Sequence, residues 1–149
     1  LAWWSDPHNL DPAFTRVRVR ETVLPMLERE LGPGVAATLA RTADQVRQDV
    51  DHLDDLAEAE YARIGSEAGL PIGELARLAP AIRGRVLRLA ALAAGAINAE
   101  LFATHVKELD RLVTDWRGQR GVDLPGHLTA IRDSGVGAGV LRFVPRNSL

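Results

Sequence analysis

Cysteine is absent from the 149-residue sequence, which excludes disulfide bonds and cysteine-ligated zinc and suits a reducing, cytoplasmic location. No uncharged apolar run reaches the roughly 18 residues that a membrane span needs, so no membrane partner is expected. Nor does the N-terminus have the basic start and apolar run of a secretory signal. Because the chain begins with Leu1 rather than Met, we expect an internal fragment of a longer protein. Its 46% hydrophobic and 26% charged residues are typical of a globular chain.

Net charge is only -2, so the total charge does not indicate a nucleic-acid partner. Charges of one sign are nevertheless grouped. Residues 14–20 hold three arginines and no acid, residues 77–88 hold four arginines and no acid, and residues 44–60 hold seven acids and one arginine. Such grouping favours a basic face that binds nucleic acid. Solvation of separate helix faces explains the same pattern equally well.

The abundance of Ala, Leu, Arg and Glu predicts a mainly α fold, a helical bundle with a long central helix and a small C-terminal β-hairpin. A first helix should begin at Asp11-Pro12, with Asp11 as N-cap, be kinked or restarted by Pro25, and end at Gly32-Pro33-Gly34. The long helix is predicted over residues 35–64. Apolar residues at heptad spacing form its packing face: Leu39, Ala43, Val46, Val50, Leu53, Ala57 and Ile64.

Shorter elements follow the long helix. Helices are predicted at about residues 72–79, 80–94 and 99–116, and residues 122–126 read as a short strand and turn. Residues 127–132 and 140–144 alternate as the strands of a hairpin. Their connection is rich in glycine, but no Lys-Ser/Thr pair follows it, so we interpret it as a hairpin loop rather than a phosphate-binding loop.

Candidate catalytic groups are few. The histidines lack metal-ligand spacing, so no metal site is expected from His8, His52, His105 and His127. The sequence contains neither a nucleophile elbow nor a cysteine nucleophile. Asp6 and Asp11 form a carboxylate pair suited to acid–base work. A helix cap at Asp11 and an Asx-turn at Asp6 are the simpler interpretation.

The arginines are better candidates for binding, because guanidinium groups offer paired donors to phosphate and carboxylate. Arg16 and Arg20 have helical i,i+4 spacing and should share one face. Trp3, Trp4 and Phe14 lie nearby in the sequence and could stack on bases. For the tryptophans we favour core packing, or a surface left bare by another domain.

Residues 4–20 resemble the junction motif of tRNA(Ile)-lysidine synthases, an Asp-x-Ser-Asn-x-Asp turn before an aromatic residue and an Arg-Asn-x-Ile-Arg helix. The matching residues are Asp6, Asn9, Asp11, Phe14, Arg16, Arg20, Leu24, Pro25 and Leu27. His8 replaces the usual Ser, and Val17 replaces the usual Asn. Residues 78–88 resemble the family's arginine-rich segment, with Gly84 where an arginine is more common. His105 and the turn at Leu124-Pro125-Gly126 also fall in the family's order.

This resemblance implies the C-terminal portion of a ligase that uses ATP to activate the wobble cytidine of an isoleucine tRNA and then attaches L-lysine. The family's N-terminal PP-loop domain would bind ATP and Mg²⁺. Its Ser-Gly-Gly-x-Asp-Ser loop does not occur in this sequence, so the fragment alone is expected to be inactive and to hold no cofactor.

The resemblance also assigns residues and boundaries. Residues 1–34 would face the missing domain, and residues 35–149 would form a helical tRNA-binding domain that ends in the hairpin. Arg16 and Arg20 would bind lysine or phosphate at the junction, which Asp6, Asn9 and Asp11 would shape. Contacts with tRNA(Ile) are assigned to Arg83, Arg85, Arg88 and Arg117.

Two other functions stay open from the residues alone. One is a helical nucleic-acid-binding module unrelated to tRNA modification. The other is a structural interaction module without a catalytic role, such as a homodimerisation unit.

Overall fold

The computed structural model describes residues 11–135 and 139–148. The chain divides into two compact units, and the division falls between Asp49 and Val50, inside one long helix. The boundary that we predict after residue 34 separates regions of different function rather than compact units, and it stays a prediction. Throughout the described ranges, every helix is too short or too polar to cross a lipid bilayer.

From Asp11, where the described part of the first unit begins, the chain forms a turn rather than the predicted helix. Asp11 Oδ1 accepts a hydrogen bond from the backbone N–H of Ala13 at 2.9 Å, and helix α1 covers only Thr15–Arg18. The predicted N-cap role of Asp11 is therefore wrong, because its side chain closes an Asx turn ahead of the helix. The guanidinium of Arg18 holds the same turn by donating to the carbonyls of Pro12 and Ala13.

Pro25 explains the irregular middle of this helical segment. A π-helical turn covers Val19–Val23, and helix α2 follows over Leu24–Leu31. Proline lacks an N–H and its ring crowds the carbonyl four residues earlier, so a wider turn before it relieves the clash. The predicted restart at Pro25 is confirmed, and so is the end at Gly32, whose φ of 96° favours glycine.

Helix α3 covers Val35–Ile64, with the bounds that the sequence predicts. Its predicted packing face is buried toward the C-terminal end, at Ala57 and Ile64. Toward the N-terminal end the same face is open to solvent, since Leu39 and Val46 are 50% and 53% exposed. The heptad pattern therefore identified a packing face, of which only the C-terminal end is covered in the described part of the chain.

The second unit builds its core from the C-terminal part of α3, three further helices and a sheet. The helices are α4 (Ile72–Arg77), α5 (Pro80–Ala93) and α6 (Ala103–Thr114). The strands are β1 (Leu70–Pro71), β2 (Val122–Leu124), β3 (Leu128–Asp133) and β4 (Val140–Pro145). The largest fully buried side chains are Leu75, Val86, Leu87, Leu109, Leu112, Leu124 and Leu141. Each contributes roughly 1.5–3 kcal/mol by leaving water, which makes this core the main support of the unit.

The four strands form one antiparallel sheet in the order β1-β4-β3-β2. The predicted hairpin is confirmed as β3 and β4, which pair from Leu128 with Pro145 to Asp133 with Val140. Strand β1 was not predicted, because a two-residue strand has no alternation pattern to read. The predicted fold class is confirmed, with a small sheet in place of an isolated hairpin.

Helix α6 begins four residues later than predicted, after a 3₁₀ turn over Asn98–Glu100. The backbone just before the helix is bonded to another helix, since the carbonyl of Leu101 accepts a hydrogen bond from Arg88 of α5 at 2.6 Å. At the helix start, Nδ1 of His105 accepts the backbone N–H of Phe102 at 3.0 Å. That bond satisfies a donor just before the first turn and sets the start of α6.

Candidate functional site

The predicted junction residues are only partly within the described part of the chain. Asp6 and Asn9 lie outside it, as do Trp3 and Trp4, and their assignments stay predictions. Asp11 lies in the turn before α1, where it organises backbone.

Arg16 and Arg20 lie at the surface of the first unit. The guanidinium carbon of Arg16 is 5.1 Å from the centroid of the Phe14 ring, a cation–π contact. Arg20 Nε donates to Glu21 Oε1 at 2.7 Å, and the two side chains are 58% and 53% exposed. Exposed pairs of this kind are worth only about 0–1 kcal/mol, so a ligand can displace them at low cost. Neither of these contacts encloses a guanidinium in a buried carboxylate pair.

Arg83, one of the arginines assigned to tRNA contacts, is buried in the second unit. Only 7% of the residue is exposed. Its Nε donates to Asp110 Oδ1 on α6 at 2.5 Å, and its Nη1 donates to the carbonyl of Leu78 at 3.0 Å. These bonds satisfy polar atoms that burial would otherwise leave unpaired, and the bond to Asp110 ties α5 to α6. The predicted tRNA contact of Arg83 stays a prediction, and these internal bonds do not favour it.

Arg85 and Arg88 lie on a more open face of α5. Arg85 Nε donates to Asp54 Oδ1 on α3 at 2.6 Å, while its side chain keeps 28% exposure. Arg88 donates to the carbonyl of Leu101 at 2.6 Å and to Asn98 Oδ1 at 2.5 Å. These contacts fix the guanidinium groups in place without burying them, which prepares both for a second, external acceptor.

A groove of about 630 Å³ lies between α5 and α6, and both of these α5 arginines line it. Its uncharged lining, which we call the floor, consists of Pro80, Ala81, Gly84, Ala103 and Val106. Two further cations, Lys107 and Arg111, line it from α6. Across residues 11–135 and 139–148, no hydrogen bond or ion pair engages either of these two side chains. The groove thus combines an apolar floor with cations on both helices.

The groove carries positive charge although the chain as a whole does not. Asp110 is the only carboxylate among its lining residues, and buried Arg83 already pairs with it. Asp54 offsets part of the charge of Arg85. Cations still outnumber acids around the groove, and an excess of one sign beside a low-dielectric wall attracts the opposite charge.

Lys107 and Arg111 are the site residues that reasoning from the sequence missed. They are spaced i,i+4 on α6, opposite the buried face that contains Leu109 and Leu112. That spacing can be recognised in the sequence. The proximity of Lys107 and Arg111 to α5 cannot, because the two helices meet only in the folded unit.

Arg117 lies in the loop after α6, where its side chain is 80% exposed and pairs with Asp115 at 3.0 Å. The neighbouring Trp116 ring packs under the guanidinium of Arg132, 4.9 Å from the ring centroid. Arg132 also donates to the carbonyl of Leu112 at 2.9 Å. Strand β3 thereby anchors the loop, and the anchored loop presents Arg117 to solvent.

A separate charged cluster joins α3 to α4. The pKa of Arg63 is raised, because its guanidinium donates hydrogen bonds to Glu60 and Glu74. A raised pKa favours the protonated guanidinium, and arginine is already protonated at neutral pH. The cluster therefore has a structural role. Within the described ranges, no three His, Asp or Glu side chains are grouped so as to hold a metal ion.

Comparison with known proteins identifies the region that contains the groove. Residues 70–135 match the family described as the TilS substrate binding domain. The chain is 51% identical over 136 residues to a tRNA(Ile)-lysidine synthase of Streptomyces coelicolor, covering 91% of this chain and 39% of that protein. It is 53% identical over 133 residues to the Thermobifida fusca synthase, covering 89% of this chain and 41% of the relative.

The Salinispora arenicola synthase is 50% identical over 136 residues, covering 91% of this chain and 41% of the relative. The similarity therefore extends well beyond the matched domain, while the chain spans only about two-fifths of the length of these curated relatives. Residues 70–135 match the TilS substrate-binding domain family, and the chain as a whole is similar to a part of the tRNA(Ile)-lysidine synthases.

Proposed function

We propose that this chain is the tRNA-positioning part of an ATP-dependent tRNA(Ile)-lysidine synthase. The observation that carries the proposal is the identity of about half the residues with curated synthases over nine-tenths of the chain. Such an enzyme attaches lysine to the wobble cytidine of an isoleucine tRNA. The chain's own contribution is to bind and orient the RNA rather than to perform the bond-forming step.

The chemistry belongs to the part of the protein that lies outside this chain. ATP and Mg²⁺ bind in an N-terminal PP-loop domain, which adenylates the cytidine before lysine attacks it. Arg16 and Arg20 complete that cleft by binding the lysine carboxylate or a phosphate, for which a planar guanidinium has the right donors. Their exposure supports this role, because both side chains lie at the surface of the first unit, where a ligand can reach them.

Contacts with the tRNA backbone come from the second unit. Arg85 and Arg88 line the groove between α5 and α6, and Arg117 projects from the loop after α6. Arg83 acts as a positioning residue, since its bond to Asp110 on α6 holds the two helices together. Phosphate contacts of this kind fix register and orientation without reading sequence.

The first unit favours a second role as an interaction surface. Its exposed apolar side chains include Met26, Leu31, Leu39 and Val46. Apolar surface exposed by a monomer often marks a protein contact, and either the N-terminal domain or a second copy of the chain would cover these side chains. That role is compatible with tRNA positioning. If the chain had this role and did not bind tRNA, it would be a structural module.

Filter binding of an isoleucine tRNA to the chain at two salt concentrations tests the main proposal. We expect measurable affinity at low salt that falls steeply as salt rises, because counterions are released from the phosphates. Changing Arg85, Arg88 and Arg117 to alanine should lower the slope of log K against log salt by about one for each phosphate that is no longer bound. An absence of binding at low salt would contradict tRNA positioning and leave the structural role.

The gene that encodes this chain offers a second test. A Ser-Gly-Gly-x-Asp-Ser loop should be encoded about 150–200 residues before Leu1, the length of one ordinary domain. An upstream sequence without that loop would exclude the synthase.

A further inference from the structure

The groove between α5 and α6 suits one part of an RNA better than any other. We infer that it receives a single unstacked nucleotide, with the base face on the apolar floor and the flanking phosphates on the cations of the two rims. This inference rests on the proposed function and adds to it the place and the form in which the RNA is held. The groove lies entirely within the residues that match the substrate-binding family.

The size of the groove fits one nucleotide. Ligand pockets have volumes of about 300–1,000 Å³, and this groove encloses about 630 Å³. Gly84 adds no side chain to the floor, and a Cβ placed there would meet only Val106 Cγ1, at an ordinary contact distance of 3.6 Å. A stacked duplex has no exposed base face to offer such a floor, whereas an unpaired nucleotide does.

The charges around the groove fit the phosphates on either side of that base. Lys107 and Arg111 project from successive turns of α6 and have no partner among the described residues. Arg88 is held by Leu101 and Asn98, so its guanidinium plane is oriented before the ligand arrives. Guanidinium planes stack on bases as well as bonding phosphates, so Arg88 contributes to both interactions.

An acidic protein segment is the rival occupant, and the floor argues against it. A bound peptide strand needs main-chain hydrogen bonds from its site. The floor side chains have no polar atoms, and the carbonyl of Ala81 already accepts a hydrogen bond from Arg85 Nη1 at 3.1 Å. A base face needs only apolar contact, while its edges reach solvent and the cationic rims.

Direct binding measurements with the 149-residue chain and a labelled single-stranded RNA heptamer test the inference. Gly84→Leu fills the floor without changing charge, and Gly84→Ala is the matched control that leaves it open. We expect Gly84→Leu to weaken heptamer binding about tenfold, the effect typical of removing one base contact, with the salt slope unchanged. Both variants should fold, because each replaces a mid-helix glycine with a better helix former.

The cationic rim is tested separately. Lys107→Ala together with Arg111→Ala should lower the salt slope by about 1.4, since each single-strand phosphate contact contributes about 0.7. Arg41→Ala together with Arg47→Ala removes the same charge from an exposed stretch of α3 and should leave the slope unchanged. Annealing the heptamer into a duplex should abolish the difference between Gly84→Leu and Gly84→Ala.

These experiments distinguish failure of the groove inference from failure of the proposed function. If Gly84→Leu binds the heptamer as tightly as Gly84→Ala does, the base does not lie on the floor and the inference is overturned. In that case the proposed function still stands, provided the wild-type chain binds tRNA. If a glutamate-rich peptide of equal charge displaces the heptamer and binds Gly84→Leu more weakly, the groove belongs to an acidic protein and the inference also falls.

Discussion

At the residue scale, Arg83 and Arg85 differ although one position separates them on α5. Arg83 is buried and bonded to Asp110, whereas Arg85 stays partly exposed beside Asp54. The sequence assigns both the same role because it shows only their type and spacing. Their neighbours across the fold decide which guanidinium can meet a ligand.

Arg83→Met should therefore destabilise the chain by about 2–3 kcal/mol, because it removes the charged donor to Asp110 and the donor to the Leu78 carbonyl. Arg85→Met should cost less than about 1 kcal/mol, as expected for a partly exposed pair. Urea denaturation of the two variants measures the difference. Equal destabilisation would contradict the structural role that we assign to Arg83.

Arg16 is the second residue-scale case. If the proposed function holds, Arg16→Ala in the full-length protein should lower lysidine formation at least about a hundredfold, the typical cost of removing one donor that stabilises charge in an active site. Arg29→Ala is the matched control, because Arg29 is exposed and paired only with adjacent Glu30. A tRNA-lysine ligation assay on the two variants decides the matter. Normal turnover with Arg16→Ala would remove this residue from the cleft.

At the scale of elements, glycine positions show how backbone conformation controls what the sequence tolerates. Gly84 lies inside α5 without a positive φ, and a Cβ there meets only Val106 Cγ1 at ordinary contact distance. Gly126 has a φ of 87°, and a Cβ there would lie 2.6 Å from the carbonyl oxygen of Gly95. One glycine is therefore dispensable for folding, and the other is required by the turn.

Replacing each with alanine should change stability in opposite directions. Gly84→Ala should raise the free energy of unfolding by about 0.5–1 kcal/mol through helix propensity. Gly126→Ala should lower it by at least about 1 kcal/mol, because both strain and a clash oppose the side chain. Denaturant midpoints at constant m-value measure both effects. A stabilised Gly126→Ala would mean that the turn can rearrange.

The helix bounds show which signals act locally. The start and end of α3 were predicted because Gly34 precedes it and its apolar positions continue to Ile64. The start of α6 was predicted too early. Arg88, which lies on α5, donates a hydrogen bond to the carbonyl of Leu101 just before α6 begins. Capping residues and periodicity can be recognised along the sequence. A hydrogen bond donated by a residue of another helix cannot be recognised in this way.

At the scale of the whole molecule, the first unit carries apolar surface that the described residues do not cover. Leu39 and Val46 are about half exposed on α3. Changing both to glutamine should alter the free energy of unfolding by less than about 0.5 kcal/mol each, as for other surface positions. Urea denaturation checks this. A larger decrease would mean that this face is packed, and sedimentation equilibrium would then show whether a second copy covers it.

Reading along the chain was enough to predict the helical class, the bounds of the long helix, the C-terminal hairpin and the family resemblance. These depend on periodicity, turn residues and motif order, which all act over short distances along the chain. Only the tertiary structure decided that Arg83 is buried, that β1 joins the sheet, and that Lys107 and Arg111 line a groove with Arg85 and Arg88. Each of these depends on contacts between residues that are far apart in sequence, and no local pattern encodes such contacts.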